Sequence, residues 1–266
     1  NSKNVSFYIQ LINKNEIKMI DLLKRLKDEY GVIEVKAEYE NEGSRTDELT
    51  RLKDVVSAAD LPIIIKIGGV EAITDIYNAI ILGARGIVAP MAETKFAVSK
   101  FIKGVRNFVA SDNQESIDFA INIETITSYN NIDEILSYED ISLLTGITIG
   151  RVDFTGSMGK DRDFANSQEM FQYCVNIFSK CREKNLKCAL GGAVSVESAD
   201  FIRGLVDLNL LDKYETRKTV YDKSALGKID SGILHGVEFE LLWLKSKERY
   251  YHKIKLEYQH RIKMLE

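Results

Sequence analysis

The feature that most constrains the fold of this chain is a series of eight short runs of β-forming residues separated by amphipathic segments. The runs occupy residues 5–11, 32–38, 62–68, 85–91, 118–124, 147–153, 187–193 and 214–221. Most segments between them carry apolar residues at i, i+3, i+4 and i+7, the spacing of a helix with one buried face. Because strands that alternate with helices pair in parallel through crossovers, eight units predict an α/β fold, a (β/α)₈ TIM barrel, over residues 1–230. The competing doubly wound sheet lacks its glycine-rich phosphate loop after the first strand.

The C-terminal residues 231–266 form a helical extension to this predicted barrel. Residues 232–266 contain no helix breaker after Gly236. This predicts one long helix, and the later half of that helix is basic and aromatic. Such a helix can bind a membrane surface or an acidic partner. The interpretation that we favour is a helix that packs across the barrel or against a neighbouring subunit, with lysine stems covering apolar surface. We therefore expect a homo-oligomer.

Charge and composition exclude several classes of function. The net charge of −4 predicts neither nucleic-acid binding nor association with a membrane surface. No apolar run approaches the ~18 residues that span a bilayer, and the N-terminal residues lack the features of a signal peptide. The three cysteines, Cys174, Cys181 and Cys188, favour reduced thiols and a cytoplasmic location. Without a nearby histidine, they are better explained as small buried residues than as a metal site.

Charged side chains recur on one face of several predicted strands. If the apolar face of each strand contacts the helices, the barrel lumen receives Glu34, Lys36, Glu38, Lys66, Asn122, Glu124, Arg151, Asp153, Glu215 and Arg217. So much charge is unfavourable in a core unless it is paired or binds a ligand. An ion-pair network explains part of this set. The concentration of charges at the carboxyl ends of the strands, where barrel enzymes carry their active sites, favours a functional site.

Two of these acids end neighbouring strands, Glu124 the fifth and Asp153 the sixth. Carboxylates that lie so close repel each other unless a cation or a proton lies between them. Two carboxylates with positions left for water and substrate are a common ligand set for Mg²⁺ and also suit Mn²⁺. The alternative is a general acid and base pair. Histidine cannot easily compete for either role, because all three histidines lie in the C-terminal helix.

Three sequence blocks together resemble the HpcH/HpaI aldolase and citrate lyase β-subunit family of the phosphoenolpyruvate/pyruvate superfamily. They are "GARGIVAPMAET" (83–94), "NIETITSYNNIDEIL" (122–136) and "GITIGRVDFTGSMG" (146–159), in the family's order. The resemblance implies that Glu124 and Asp153 are ligands of Mg²⁺ or Mn²⁺. It implies a 2-oxo acid substrate, a carbon–carbon bond made or broken beside the metal, and contact between the backbone of the small loop at Thr155 and Gly156 and the substrate carboxylate.

The sequence departs from this family at three places. Lys66 stands where the family has an arginine, and a lysine lacks the bidentate fork of a guanidinium. The base histidine after the second strand is missing from "KAEYENEG", which leaves Glu38 or Glu40 as the candidate base. Arg151-Val152 replaces the usual Pro-Asn before the metal-binding aspartate. These departures weaken the expectation of a standard aldol substrate.

Three functions are compatible with these residues. The leading one is a metal-dependent carbon–carbon lyase acting on a 2-oxo acid or related carboxylate, with Lys66 as electrophilic contact and Arg151, Lys36 and Arg217 as anion contacts. A metal-free enzyme could use Lys66 or Lys36 as a Schiff-base nucleophile, but nearby acids raise the pKa of a lysine. The third is a barrel that has lost its base and serves as a binding or assembly subunit.

Overall fold

A computed structural model describes residues 13–266 and shows a closed barrel of eight consecutive strands. The strands are β1 (Val32–Glu38), β2 (Ile63–Lys66), β3 (Gly86–Ala89), β4 (Asp118–Ile123), β5 (Gly146–Gly150), β6 (Lys187–Gly191), β7 (Lys213–Glu215) and β8 (Thr219–Asp222). The helices are α1 (Lys14–Tyr30), α2 (Thr46–Ala58), α3 (Ile73–Ile81), α4 (Lys95–Phe108), α5 (Ser111–Ser116), α6 (Ile126–Asn130), α7 (Ile132–Leu136), α8 (Arg151–Ser157), α9 (Gln168–Glu183), α10 (Ala199–Asp207) and α11 (Ile229–Leu265). The predicted barrel is thus confirmed.

The strand that closes the barrel differs from the prediction. β1 to β7 pair in parallel in chain order, whereas β8 is antiparallel to both β7 and β1. The run 214–221 is therefore two strands joined by a tight turn, in which Thr216 Oγ1 accepts a 3.1 Å hydrogen bond from Thr219 N–H. A link of three residues can form a hairpin but cannot form a parallel crossover. The predicted first strand, residues 5–11, lies outside the described residues.

The hydrophobic core lies between the barrel and its surrounding helices. Ile63, Ile65 and Ile67 alternate outward from β2 and its extension and are fully buried, as the period of two in a strand requires. The three cysteines are free thiols buried in the same layer, which confirms their predicted role as small buried residues. Because the strand positions that face the helices are apolar, the polar side chains of the strands point into the barrel lumen.

The C-terminal helix α11 begins at Ile229, three residues before its predicted start, and has two different halves. Its first half packs against α1 and buries Ile233, Phe239 and Trp243. All residues from 255 to 266 are exposed. The first half therefore belongs to the core of the barrel. In the described part of the chain, no helix has the length and apolar character required to cross a membrane.

Candidate active site

The carboxyl ends of the strands enclose a polar cavity of about 380 Å³. Eight of the ten residues predicted for the lumen line it: Lys36, Glu38, Lys66, Asn122, Glu124, Asp153, Glu215 and Arg217. A larger groove of about 730 Å³ lies between α2 and α11, but it is lined largely by aromatic and apolar surface and is remote from the strand ends. Active sites of barrel enzymes lie at the carboxyl ends of the strands, so the smaller cavity is the candidate site.

Two lysines in the wall of this cavity are held by glutamates. Lys36 Nζ lies 2.6 Å from Glu215 Oε1 and 3.4 Å from Glu38 Oε1. Lys66 Nζ lies 2.7 Å from Glu40 Oε2 and 3.6 Å from Glu38 Oε1. β1 supplies Lys36 and Glu38 from one face, and Glu40 continues the same alternation beyond the strand end. The predicted ion-pair network is therefore present beside the candidate site.

The pKa shifts of these groups follow from their pairing. Burial alone would lower the pKa of Lys36, but Glu215 and Glu38 outweigh it and the pKa is raised. Burial likewise opposes the charge of Lys66, and Glu38, Glu40 and Glu124 raise its pKa. Burial would raise the pKa of Glu38, but Lys36 and Lys66 lower it. Both lysines are thus ammonium groups at neutral pH, which argues against a Schiff-base nucleophile because that role needs the free amine.

Glu124 follows β4 directly and is held in one orientation by two hydrogen bonds. Its Oε1 accepts from Met91 N–H at 2.9 Å, and its Oε2 accepts from Asn122 Nδ2 at 3.0 Å. Burial raises the pKa of Glu124, and the charge of Asp153 adds to this increase, against the opposing influence of Lys66. Glu124 and Asp153 line the same cavity, as the positions of these two residues in the sequence predicted.

Asp153 lies in the first turn of α8 and not at the end of a strand. β5 ends at Gly150 and the helix begins at Arg151. Burial raises the pKa of Asp153, as do Glu40 and Glu38, whereas Lys66 and Arg217 lower it. Within residues 13–266, Asp153 forms neither a salt bridge nor a side-chain hydrogen bond. Its carboxylate is therefore available to a ligand in the cavity.

The prediction that Arg151 shares a face with Asp153 and contacts an anion is wrong. Residues two apart in a helix lie about 200° apart around its axis, so Arg151 points away from the cavity that Asp153 lines. Its fully buried guanidinium donates to Ala165 O at 2.9 Å and to Asn166 Oδ1 at 2.7 Å, and lies 4.7 Å from the centre of the Phe201 ring. Burial lowers the pKa of Arg151 to about 10. Its role is to anchor the segment after α8.

Thr155 and Gly156 are also placed differently from the prediction. The sequence "TGSMG" predicts a loop, but Thr155 and Gly156 lie inside α8 and neither lines the cavity. Their backbone amides belong to the helix, where N–H groups bond to carbonyls of the preceding turn. Thr155 is buried and Gly156 faces open space. The chain leaves the helix only at Met158.

Sequence reasoning missed Arg162, which also lines the cavity. It begins the short helical turn Arg162–Asn166 that follows α8. The signal that could have identified it is its position in the loop after β5, because the loops that follow the strands build the active sites of barrel enzymes. Gly150 was also missed, and it bears directly on the position of Glu124.

Gly150 provides a prediction about the site. A Cβ atom at this position would lie 2.5 Å from Glu124 Oε2 and 2.9 Å from Glu124 Cβ. On the expectation from the sequence that Glu124 binds Mg²⁺ or Mn²⁺, Gly150→Ala should displace its carboxylate and weaken Mn²⁺ binding roughly 10–100-fold, the usual effect of disturbing the support of a metal ligand. Titration calorimetry with Mn²⁺ measures this. Gly227→Ala, where the added Cβ meets nothing within 4 Å, is the matched control, and equal affinity in both variants would contradict the prediction.

The oxygen atoms around Glu124 and Asp153 are those that a hard divalent cation prefers. No cluster of three or more His, Cys, Asp or Glu side chains suited to a metal occurs within residues 13–266, so a cation beside this carboxylate pair would have no third ligand from these residue types. Asn122 adds a neutral oxygen, because its buried Oδ1 has no hydrogen-bond partner in that part of the chain. Two carboxylates, with the remaining positions left to water and substrate, suit Mg²⁺ or Mn²⁺. The residues present therefore fit such a cation.

Comparison with known proteins gives one family match and several structural relatives. The family model described as HpcH/HpaI aldolase/citrate lyase matches residues 46–203. An HpcH/HpaI aldolase from Desulfitobacterium hafniense DCB-2 aligns with a TM-score of 0.56 at 12% identity, covering 73% of this chain and 89% of that one. The citrate synthase SbnG aligns with a TM-score of 0.58 at 17% identity, covering 85% and 98%. Macrophomate synthase aligns with a TM-score of 0.50 at 16% identity, covering 87% and 90%. No curated protein sequence matches significantly.

Proposed function

Because this chain belongs to the HpcH/HpaI aldolase/citrate lyase family, we propose that it is a divalent-metal-dependent carbon–carbon lyase. Its substrate is a 2-oxo acid or a related carboxylate. The observation that carries the proposal is the pair Glu124 and Asp153, two neighbouring carboxylates that line one cavity at the carboxyl ends of the strands. The internal network already pairs the buried acids Glu38 and Glu215 of that cavity with lysines.

Glu124 and Asp153 would hold Mg²⁺ or Mn²⁺. When bound, the cation supplies Lewis-acid polarisation of the substrate's keto oxygen. Glu124 needs no reorientation for this role, because Met91 and Asn122 already hold both of its oxygens while leaving further lone pairs. These hydrogen bonds lower the pKa of Glu124, against the larger effect of burial, which raises it.

Lys66 provides the electrophilic contact in this proposal. An ammonium group has three N–H donors, and Glu40 and Glu38 occupy two directions around Lys66 Nζ. One donor is left for the substrate's oxo or carboxylate oxygen. The charge of a preorganised lysine stabilises negative charge that develops on that oxygen, in a site from which water is partly excluded.

Glu40 is the better of the two candidate bases. Glu38 lines the cavity but is held by two lysines, and its side chain is only 5% exposed; Glu40 lies behind the cavity lining, contacts Lys66 alone and is 23% exposed. A carboxylate shared by two cations is a weaker proton acceptor, and the lowered pKa of Glu38 reflects this. Glu40 would remove the proton next to the keto group, within reach of the Lys66 ammonium.

Proton–deuterium exchange at C3 of pyruvate, followed by NMR, tests this proposal before any electrophile is known. We expect exchange with Mg²⁺ or Mn²⁺, none with chelator, and little in Glu40→Gln although that variant still binds metal. Tight metal binding without exchange in the parent protein would count against a pyruvate-type nucleophile. It would then favour another carboxylate substrate or the role of a binding subunit.

The second candidate function, a binding or assembly subunit, is favoured by the surface of α11. Leu234, Val237, Leu241 and Leu244 form an exposed stripe at intervals of three and four residues, and Tyr258, Ile262 and Leu265 continue the pattern. The part 229–243 has three acidic and no basic residues other than His235, whereas 244–266 has seven Lys or Arg and three Glu. Antiparallel pairing of two copies would therefore place unlike charges together and cover both stripes.

Truncation after residue 254 tests this assembly. The longer deletion of 232–266 would remove Phe239 and Trp243 from the core, whereas residues 255–266 are exposed. We expect the full chain to be a dimer or larger and the truncated chain to be a monomer with unchanged Mn²⁺ affinity. Light scattering after size exclusion gives the mass. A full chain that is already monomeric at micromolar concentration would contradict the assembly.

A further inference from the structure

The loop between β1 and α2, residues 39–45, places three successive side chains in three different environments. Glu40 Oε2 lies 2.7 Å from Lys66 Nζ, behind the lining of the cavity. Asn41 lines the cavity itself. Glu42 does not line the cavity, and its side chain is only 9% exposed. A small shift of this loop would therefore move the proposed base away from Lys66 and change the cavity wall.

Few polar contacts hold this loop to the barrel. In the described part of the chain, the hydrogen bonds and salt bridges that join residues 40–44 to other segments all involve the carboxylate of Glu40 or that of Glu42. Gly43 N–H donates to Glu40 O at 3.3 Å, and Ser44 Oγ donates to Glu42 Oε2 at 3.4 Å, but both of these bonds lie within the loop. Apart from the contact that Glu40 makes itself, the polar attachment of the loop thus depends on Glu42.

Both oxygens of the Glu42 carboxylate bind the hairpin turn between β7 and β8. Arg217 Nε donates to Glu42 Oε1 at 3.2 Å, and Lys218 Nζ donates to Glu42 Oε2. The turn is itself joined to β1, because Lys218 O accepts a 2.8 Å hydrogen bond from Lys36 N–H. The loop is therefore attached to a segment that the barrel holds in place.

The contact between Glu42 and Lys218 restricts the loop to one position. The Lys218 side chain is only 2% exposed; burial lowers its pKa, and the charge of Glu42 opposes this effect. A buried ion pair adds little net stability, but withdrawal of one partner leaves a buried charge with less compensation. Any loop position that takes Glu42 away from Lys218 carries that cost, so the pair fixes geometry more than it stabilises the fold.

We propose that Glu42 is a positioning residue, which keeps the Glu40 carboxylate beside Lys66 through its two contacts with the β7–β8 turn. This inference rests on the proposed function, because Glu40 is the base assigned there. A base must lie within hydrogen-bond reach of the proton that it removes, and a misplacement of about 1 Å can lower a rate on the order of 10²-fold. Glu42 does not line the cavity, so it acts through Glu40 and not on the substrate.

Proton–deuterium exchange at C3 of pyruvate, measured on the full chain with Mn²⁺, tests this role. Glu42→Gln keeps the size of the side chain and removes its charge. We expect the exchange rate at saturating pyruvate to fall about 10- to 100-fold. The half-saturating pyruvate concentration, and the Mn²⁺ affinity measured by calorimetry, should stay at their parent values. Glu29→Gln, which breaks the Arg25–Glu29 pair on α1, is the matched control and should change none of these quantities.

A second variant covers the case in which Glu42→Gln does not fold. Glu42→Gln combined with Lys218→Met removes both buried charges, so it should keep the fold, as thermal unfolding checks, and show the same loss of rate. Exchange at the parent rate in this folded double variant overturns the positioning role and leaves the proposed function standing. An equal loss in Mn²⁺ affinity also overturns it, because that result means a general disturbance of the site. If the parent protein shows no exchange, the inference fails together with the base role proposed for Glu40.

Discussion

Replacing Asp153 by asparagine should abolish metal-dependent proton exchange at C3 of pyruvate. The side chain keeps its size but loses the charge that, with Glu124, attracts the cation. Lewis-acid stabilisation by a bound metal amounts to several kcal/mol, so we expect a rate loss on the order of 10²–10³-fold or more. The loss of exchange should be accompanied by weaker Mn²⁺ binding. Within residues 13–266 Asp153 forms no salt bridge, so the loss of exchange would not come from a broken internal ion pair.

The control for this variant is Asp207→Asn, an exposed aspartate at the end of α10. It makes the same chemical change far from the cavity and should leave exchange and Mn²⁺ affinity as they are. Thermal unfolding of both variants checks that the fold is kept. Since Asp153 carries a raised pKa in the metal-free protein, removing its charge should not destabilise the fold. Exchange at the parent rate in Asp153→Asn would contradict its assignment as a ligand.

Replacing Lys36 by methionine should cost the protein about 3–5 kcal/mol of unfolding free energy, the usual effect of removing one partner of a buried ion pair. Lys36 Nζ lies between Glu215 and Glu38, whose side chains are 7% and 5% exposed. Without the lysine, the carboxylates of Glu215 and Glu38 remain in the barrel wall with less positive charge near them to offset their negative charge. Urea unfolding of parent and variant measures the difference, with the exposed Lys24→Met of α1 as the matched control.

Acid pH and a second substitution identify the cause of that loss. The pKa of Glu38 is lowered in the folded parent protein. The pairing of Glu38 therefore stabilises the fold at pH values above the ordinary glutamate pKa, and this stabilisation is lost as the pH falls through the lowered pKa. The difference in unfolding free energy between the parent protein and Lys36→Met should therefore become smaller below about pH 4. Adding Glu215→Leu to Lys36→Met should restore stability, since an apolar pair replaces an unpaired charge. A further loss in the double variant would mean that packing, and not charge, dominates.

Much of the site could be predicted from the local sequence, because the residues of one strand alone show which side chains point to which face and where the strand ends. The alternation along β1 and β4 predicted that Lys36, Glu38 and Glu124 point away from the helices, and the cavity wall contains them. The prediction failed where a strand changed into another element. Strand alternation predicts that Arg151 and Asp153, two residues apart, lie on one side, whereas the first turn of helix α8 places them on different sides.

The sequence by itself predicted the barrel, the family and the position of Glu124 at the end of a strand, because periodicity and strand ends depend on neighbouring residues. The tertiary structure decided which charges are compensated. Lys36 and Glu215 are 179 residues apart in the chain and meet only when the barrel closes. No local pattern therefore indicates that Lys36 already forms an ion pair within the protein. The turn that carries Arg162 likewise depends on tertiary contacts, because the buried Arg151 and Ser198 hold its Ala165 and Asn166. Pairing across the barrel thus decided which groups remain for a ligand.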